Sequence, residues 1–227
     1  MAVRLTDAAR KTRVTHGGRI SAILLAAGIS SRFGRPKQLA ELEGAALVRR
    51  AVSTLERSPV DEIVVVIGHG APEVARALED ARVTMVVNRD YRTGLASSIK
   101  AGLAALSPES GAVLVCLADQ PLVTPRLVRK VVSRYRRTGA DVVACTSQGL
   151  ISPPVLFSAR LYRELAKLQG DAGAKVIIER HPGYEKVSAK PGELLDVDTE
   201  DDLVRAGDAL KHGPLRGATR SREGDGS

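Results

Sequence analysis

Between Gly28 and Lys37 this chain gathers Ser30, Ser31, Arg32, Gly34, Arg35 and Lys37 into one short stretch. Glycines permit backbone conformations closed to other residues. Hydroxyls, backbone N–H groups and cations are the donors that hold phosphate oxygens. Far downstream, Asp119 follows the apolar run Ala112 to Leu117 and precedes Gln120-Pro121. Later still, Asp196 and Asp198 alternate in Asp-Val-Asp-Thr, a spacing that places both on one face of a short strand. A carboxylate is the hard oxygen ligand that Mg²⁺ takes when it is shared with phosphates. An aspartate after a strand is commonly a turn or helix cap. Asp119 gains its metal reading from company, since the same chain also offers a phosphate loop.

The loop is neither of the two commonest phosphate binders. A P-loop needs Gly-Lys-Ser/Thr at its end, and here Gly34 is followed by Arg35-Pro36. The dinucleotide pattern Gly-x-Gly-x-x-Gly is also absent. A third polar cluster follows Asn88, where Thr93-Gly94 precedes a helical pattern carrying Ser97 and Ser98 in its first turn. That helix start presents N–H groups and hydroxyls to a ligand, or is simply capped by Thr93. The four histidines (His16, His69, His181, His212) form no constellation.

The elements that position these residues can be read from periodicity. Ile20 to Ala27 is nearly uninterrupted apolar sequence, the pattern of a strand buried on both faces of a parallel sheet. A helix is expected over Ala45 to Glu56, a strand over Glu62 to Ile67, a helix over Pro72 to Leu78 and a strand over Val83 to Val87. Strands Ala112 to Leu117 and Ala140 to Thr146 follow, separated by a helix from Pro125 to Arg137. Val155-Leu156-Phe157 reads as a further strand, then helices over Leu161 to Leu168 and Ala174 to Arg180. Thr199 and Asp202 have capping-box spacing, with Asp in place of Glu. Alternation of strand and helix with short connections predicts right-handed crossovers and ligands outside the strands' C-terminal ends.

At 227 residues the chain suits one domain. Its formal charge is +8, from 34 basic and 26 acidic residues. Nine of the basic and three of the acidic residues lie in segments 1–19 and 211–227, so residues 20–210 carry only about +2. Both end segments read as disordered, the first as a basic tail, flanking a domain over 20–210. A near-neutral domain with 3% aromatic residues argues against nucleic acid as a partner. No apolar run reaches membrane-spanning length and residues 1–19 lack a signal-peptide core, so no membrane partner and a cytoplasmic location are expected. Cys116 and Cys145 sit in apolar runs and read as buried structural thiols.

Written as Leu25-Ala26-Ala27-Gly28-x-Ser30-Ser31-Arg32-x-Gly34-x-x-Lys37, the loop resembles that of nucleotidyltransferases that activate a phosphorylated acceptor with a nucleoside triphosphate. The resemblance is to the MobA-like NTP transferase family, and within it to molybdenum cofactor cytidylyltransferases. It extends in order from about residue 20 to 205, through Gly170-Asp171-Ala172-Gly173-Ala174-Lys175 and Leu195-Asp196-Val197-Asp198-Thr199. It implies an α/β fold, a Rossmann-like, mostly parallel sheet with helices on both faces.

The implied activity is transfer of a nucleotide monophosphate, from CTP or GTP, to a phosphorylated acceptor such as molybdopterin, with pyrophosphate released. Sugar- or alditol-phosphate transfer stays open, as does a maturation factor that hands molybdopterin nucleotide to a client molybdoenzyme. The implied nucleotide contacts are Leu25, Ala26, Ala27, Gly28, Ser30, Ser31, Arg32, Lys37, Gly68, Asn88, Gly94, Ser97 and Ser98. Arg32, Lys37 and Asp119 would carry catalysis, with Mg²⁺ on Asp119 and Asp198. Three departures stand out: Gln120 where the family often has Met, Glu200 where it has Pro, and Ile151-Ser152-Pro153-Pro154 without the family's Gly or His. The last falls where an acceptor approaches.

Overall fold

The computed structural model describes residues 18–30, 33–171 and 173–212. Strand β1 (Arg19–Ala26) is buried at every position after the first, as its apolar run requires. A small hairpin follows, β2 (Glu41–Leu42) and β3 (Ala45–Ala46), turned by Glu43 and Gly44 at φ of 51° and 75°. Those values suit the tight turn that joins antiparallel strands. The expected helix from Ala45 therefore begins two residues later, as α1 (Leu47–Glu56).

The chain continues through β4 (Glu62–Ile67), α2 (Ala71–Ala77), β5 (Thr84–Val87), α3 (Leu95–Ala104) and β6 (Ser110–Leu117). Next come α4 (Pro125–Thr138), β7 (Val142–Ser147), β8 (Leu150–Ser158), the single turn α5 (Tyr162–Leu165) and α6 (Ala174–Arg180). It closes with β9 (Glu185–Ser188), which the periodicity does not predict, and α7 (Glu200–His212). Helix α7 runs two residues past the expected boundary at 210.

Seven strands form one sheet in the order β5-β4-β1-β6-β8-β7-β9, mostly parallel. Only β8 is reversed, pairing antiparallel with both β6 and β7. Its direction follows from the two-residue turn Gln148-Gly149, at φ of 52° and 81°, which sends the chain straight back beside β7. Pro153 and Pro154 lie where the β7–β8 register slips, between Ala144↔Val155 and Cys145↔Ser152. An irregularity of that kind is where a strand tolerates residues without an N–H.

The two faces of β1 feed two cores. Ile20, Ala22, Leu24 and Ala26 pack with residues of α1, α2 and α4, among them Val52, Val74 and Val131. Ile23, Leu25 and Ala27 pack with Ile99 of α3, Leu165 of α5 and Ile177 of α6. Helices thus cover both faces of the sheet. A third, smaller cluster of Phe33, Leu42, Leu47, Val197 and Ala206 fastens the hairpin and α7 to the loop after β1.

The chain runs from β1 to β4 and β5 on one side, then returns to place β6 on the other. The C-terminal ends of β1 and β6 therefore flank the point where strand order reverses, the expected ligand crevice. No helix among the described residues is long and apolar enough to cross a membrane.

Candidate functional site

The loop after β1 is held from beneath by one buried side chain. Gln38, 3% exposed, donates from Nε2 to the carbonyls of Gly28 (2.7 Å) and Ala26 (3.1 Å). Its Oε1 accepts the Ser30 hydroxyl at 3.3 Å, and Ser30 Oγ in turn accepts the Lys37 N–H at 3.0 Å. The Ser30 hydroxyl is thus engaged within the loop rather than simply offered outward. Ser31 and Arg32 lie outside the described residues. Arg35 turns away toward α7, its guanidinium 3.0 Å from Glu200 Oε1 and stacked 5.5 Å from the Phe33 ring.

At the end of β6 the Ala118 N–H bonds the Leu25 carbonyl at 3.1 Å, which brings Asp119 beside the loop. Lys37 Nζ lies 2.6 Å from Asp119 Oδ2 and 2.7 Å from Asp198 Oδ1. Burial alone would lower the Lys37 pKa, but the two carboxylates outweigh it and hold the ammonium above its ordinary value. Asp198 is not on a strand, contrary to the alternation of Asp196 and Asp198. Residues 195–198 run without a ladder, fixed instead by Val197 N–H donating to the Asp119 carbonyl at 2.8 Å. The expected capping box is present: Asp202 Oδ2 accepts the Thr199 N–H at 3.1 Å and Thr199 Oγ1 accepts the Asp202 N–H at 3.2 Å.

These carboxylates suit a divalent cation. Asp119 Oδ1 is buried and finds no hydrogen-bond partner among the described residues, an arrangement that costs free energy unless a cation or donor arrives. Asp119 and Asp198 would supply oxygen ligands, with phosphate oxygens and waters completing the shell. Among the described residues there is no group of three or more His, Cys, Asp or Glu placed for a metal.

Across the cleft, the polar cluster of α3 is used differently from its sequence reading. Asn88, 4% exposed, donates to Ser97 Oγ (2.8 Å) and Ser98 Oγ (3.0 Å), and Ser97 Oγ donates to backbone carbonyls. Thr93 is not the cap, because its hydroxyl bonds the Asp90 carbonyl and Gly94 precedes α3 at φ of 109°. The Ala96 N–H at the helix start is taken by the Gly170 carbonyl at 3.0 Å. Gly94 is required there, since a Cβ would collide with that carbonyl. Gly68 also lies behind the cleft wall, where a Cβ would meet Ala27 and Tyr91 within 2.9 Å.

A cleft of about 620 Å³ results, lined by Leu25, Ala27, Gly28, Ser30, Lys37, Gly94, Ser98, Asp119 and Asp198 from the sequence reading. Ala26, Gly68, Asn88 and Ser97 are not part of its lining. Gln38, Tyr91, Arg92 and Asp171 line it without having been singled out as site residues. Arg92 sits 5.5 Å over the Tyr91 ring, and no local motif marks that pair. Gln38 follows Lys37 directly, but a lone glutamine carries no signal of what it will bond.

Comparison with known proteins places the fold. The nicotine blue oxidoreductase of Paenarthrobacter nicotinovorans is 35% identical over 201 residues, covering 82% of this chain and 95% of that one. The structure of Rv0371c from Mycobacterium tuberculosis H37Rv matches with a TM-score of 0.75 and 28% identity, over 84% of this chain and 98% of that one. The same protein has been solved in complex with manganese, matching at 0.69 and 26%, over 83% and 97%. A nucleotidyl transferase from Methanothermobacter thermautotroptrophicus, Mth528, matches at 0.74 and 27%, over 86% and 99%. A model of the MobA-like NTP transferase domain matches residues 22–186, and with the fold and cleft described above the chain belongs to that family.

Proposed function

We propose that this chain moves a nucleotidyl group from a nucleoside triphosphate to a phosphorylated small-molecule acceptor. The acceptor phosphate oxygen forms a bond to the α-phosphorus, the bond from that phosphorus to the bridging oxygen breaks, and pyrophosphate leaves. CTP as donor and molybdopterin as acceptor are the specific substrates proposed, on the resemblance of the loop and the 170–175 segment. The carrying observation is the Lys37 ammonium between Asp119 and Asp198 at the mouth of β1 and β6. Such a group neutralises charge on a departing pyrophosphate, while the glycine loop binds the phosphates. A divalent cation on Asp119 and Asp198 would polarise phosphate oxygens. Arg32 is proposed as a second phosphate cation by its place in the motif. An acceptor phosphate is already ionised near neutral pH, so positioning and charge neutralisation suffice without a dedicated base.

The test is pyrophosphate release with CTP, GTP, ATP and UTP crossed against molybdopterin and sugar phosphates, with and without Mg²⁺ or Mn²⁺. Asp119→Ala is expected to abolish metal-dependent release while keeping the native circular dichroism. Equal rates for variant and parent would overturn the assignment. The long match to the nicotine blue oxidoreductase favours a second reading, an oxidoreductase acting on nicotine blue. Bleaching of nicotine blue by a reduced nicotinamide in the presence of the protein, with no pyrophosphate release in any pairing, would select it.

A further inference from the structure

Gln38 is absent from the cation and carboxylate set, yet its side chain bonds the end of β1 and two residues of the loop that follows it. It is 3% exposed and engages three groups: the carbonyls of Ala26 and Gly28 and the hydroxyl of Ser30. Ser30 holds a left-handed φ of 60°, a conformation costly for a non-glycine residue unless its surroundings hold it. Its hydroxyl passes the constraint on, since the same oxygen accepts the N–H of Lys37. Gln38 and Lys37 share the single turn Lys37–Leu39, so the relay closes on itself through the backbone.

We infer that Gln38 is a positioning residue that aims Lys37 through Ser30, and that this aim, not nucleotide affinity, is its contribution to turnover. The inference rests on the nucleotidyltransferase reading for its kinetic consequence, but its geometric content stands apart from it. Two effects follow from the bonds. The trans peptide between Gly28 and Ile29 has its carbonyl fixed on Gln38, so its N–H points away from Gln38. The backbone of Lys37 is tethered to the loop that binds phosphate, so the four-carbon stem starts from a defined point. A lysine with a loose origin spreads its ammonium over many positions and loses most of the benefit of preorganisation.

The substitution to make is Gln38→Met, which keeps length and bulk and removes all three polar contacts. Its kcat is expected to fall about tenfold or more, with KM for the nucleotide within about threefold. Combined with Lys37→Ala it should add less than about twofold, because residues acting as one unit are not additive. A merely structural role would multiply the two losses, and that outcome overturns the inference. Ser30→Ala breaks the relay at its middle with little change in volume, and should show the same non-additivity if Gln38→Met folds poorly.

A second arm needs no turnover. Lys37 is only 13% exposed between its carboxylates, so its amine should resist reductive methylation in the intact protein. In Gln38→Met or Ser30→Ala it should be labelled at least about threefold faster, read by mass spectrometry of the Lys37 peptide. Unchanged labelling in both variants would sink the positioning role even if pyrophosphate release were normal. Faster labelling in a protein that releases no pyrophosphate would leave the positioning role standing and remove only the reaction proposed for the site.

Discussion

Lys37 Nζ sits 2.6 Å from Asp119 Oδ2, and the same ammonium reaches Asp198 Oδ1 at 2.7 Å. The ammonium lies where the two carboxylates would share a divalent ion. In the nucleotide-free protein Lys37 and the proposed metal ion would therefore compete for the same two carboxylates. Lys37→Met should raise the Mn²⁺ affinity of the nucleotide-free protein roughly tenfold or more, since it removes a positive charge a few ångströms from the site. It should lower turnover at the same time. Mn²⁺ titration followed by electron paramagnetic resonance reads the first effect. An affinity no higher than the parent's would mean that the metal binds elsewhere.

Arg35 should matter little despite its place in the loop. Its partner Glu200 and its own side chain are both more than half exposed, and such pairs contribute about 0–1 kcal/mol. Arg35→Ala should stay within about threefold of the parent in kcat/KM. If it proved as damaging as Lys37→Ala, the loop would be gripping phosphates through its other face.

Gly94→Ala tests the closure over α3. The new Cβ would meet the Gly170 carbonyl, and φ of 109° is unfavourable to any L side chain. A loss of at least about 2 kcal/mol in urea unfolding is expected. The Gly170–Asp171 segment should also become more open to proteolysis. A variant as stable as the parent would show that this contact is easily released.

The cysteines give a pH dependence with a definite sign. Burial pushes both thiols up from an ordinary value of 9.0, Cys145 to about 12 and Cys116 further still. Folded thiols stay protonated where unfolded ones ionise, so their contribution to stability is complete below pH 9 and is lost as pH rises toward 12. Burial raises Tyr162 to about 12 as well, in the same direction. Replacing both cysteines with alanine should therefore flatten the fall in unfolding free energy over this range. Thiol reagents should react only after unfolding, and rapid labelling of the native protein would contradict the buried placement.

How far the sequence could be read depends on whether the determining contacts are local. The β1 run and its loop were legible because burial on two faces and phosphate binding both leave dense local composition. Asp119 was legible because a strand end and a proline frame it. The second half of the reversed β8 was legible as Val155-Leu156-Phe157, but Pro153-Pro154 masked its first half, Leu150 to Pro154. Gln38 was not legible, because its partners are backbone carbonyls, which have no sequence. Nor was the Gly170 carbonyl over α3, a contact between segments far apart in the chain. Alternation at Asp196 and Asp198 misleads for a related reason: it predicts a strand, whereas the segment is fixed by separate bonds, among them Val197 N–H to the Asp119 carbonyl and Asp198 N–H to Asp202 Oδ2, and not by a ladder.

The bond from Val197 N–H to the Asp119 carbonyl has a consequence for how the chain can vary. It pins together two carboxylate-bearing backbones that a long excursion through β7, β8 and β9 separates. The gap between the acids is set where the chain leaves and where it returns, not by what it does on the way. Among the described residues Asp171 is what that excursion contributes to the cleft lining, so a change in the loop that carries it would reshape the cleft while the acid pair kept its spacing. The molecule is in this sense two parts with separate freedoms: a fixed charge centre, and a detour whose form can drift.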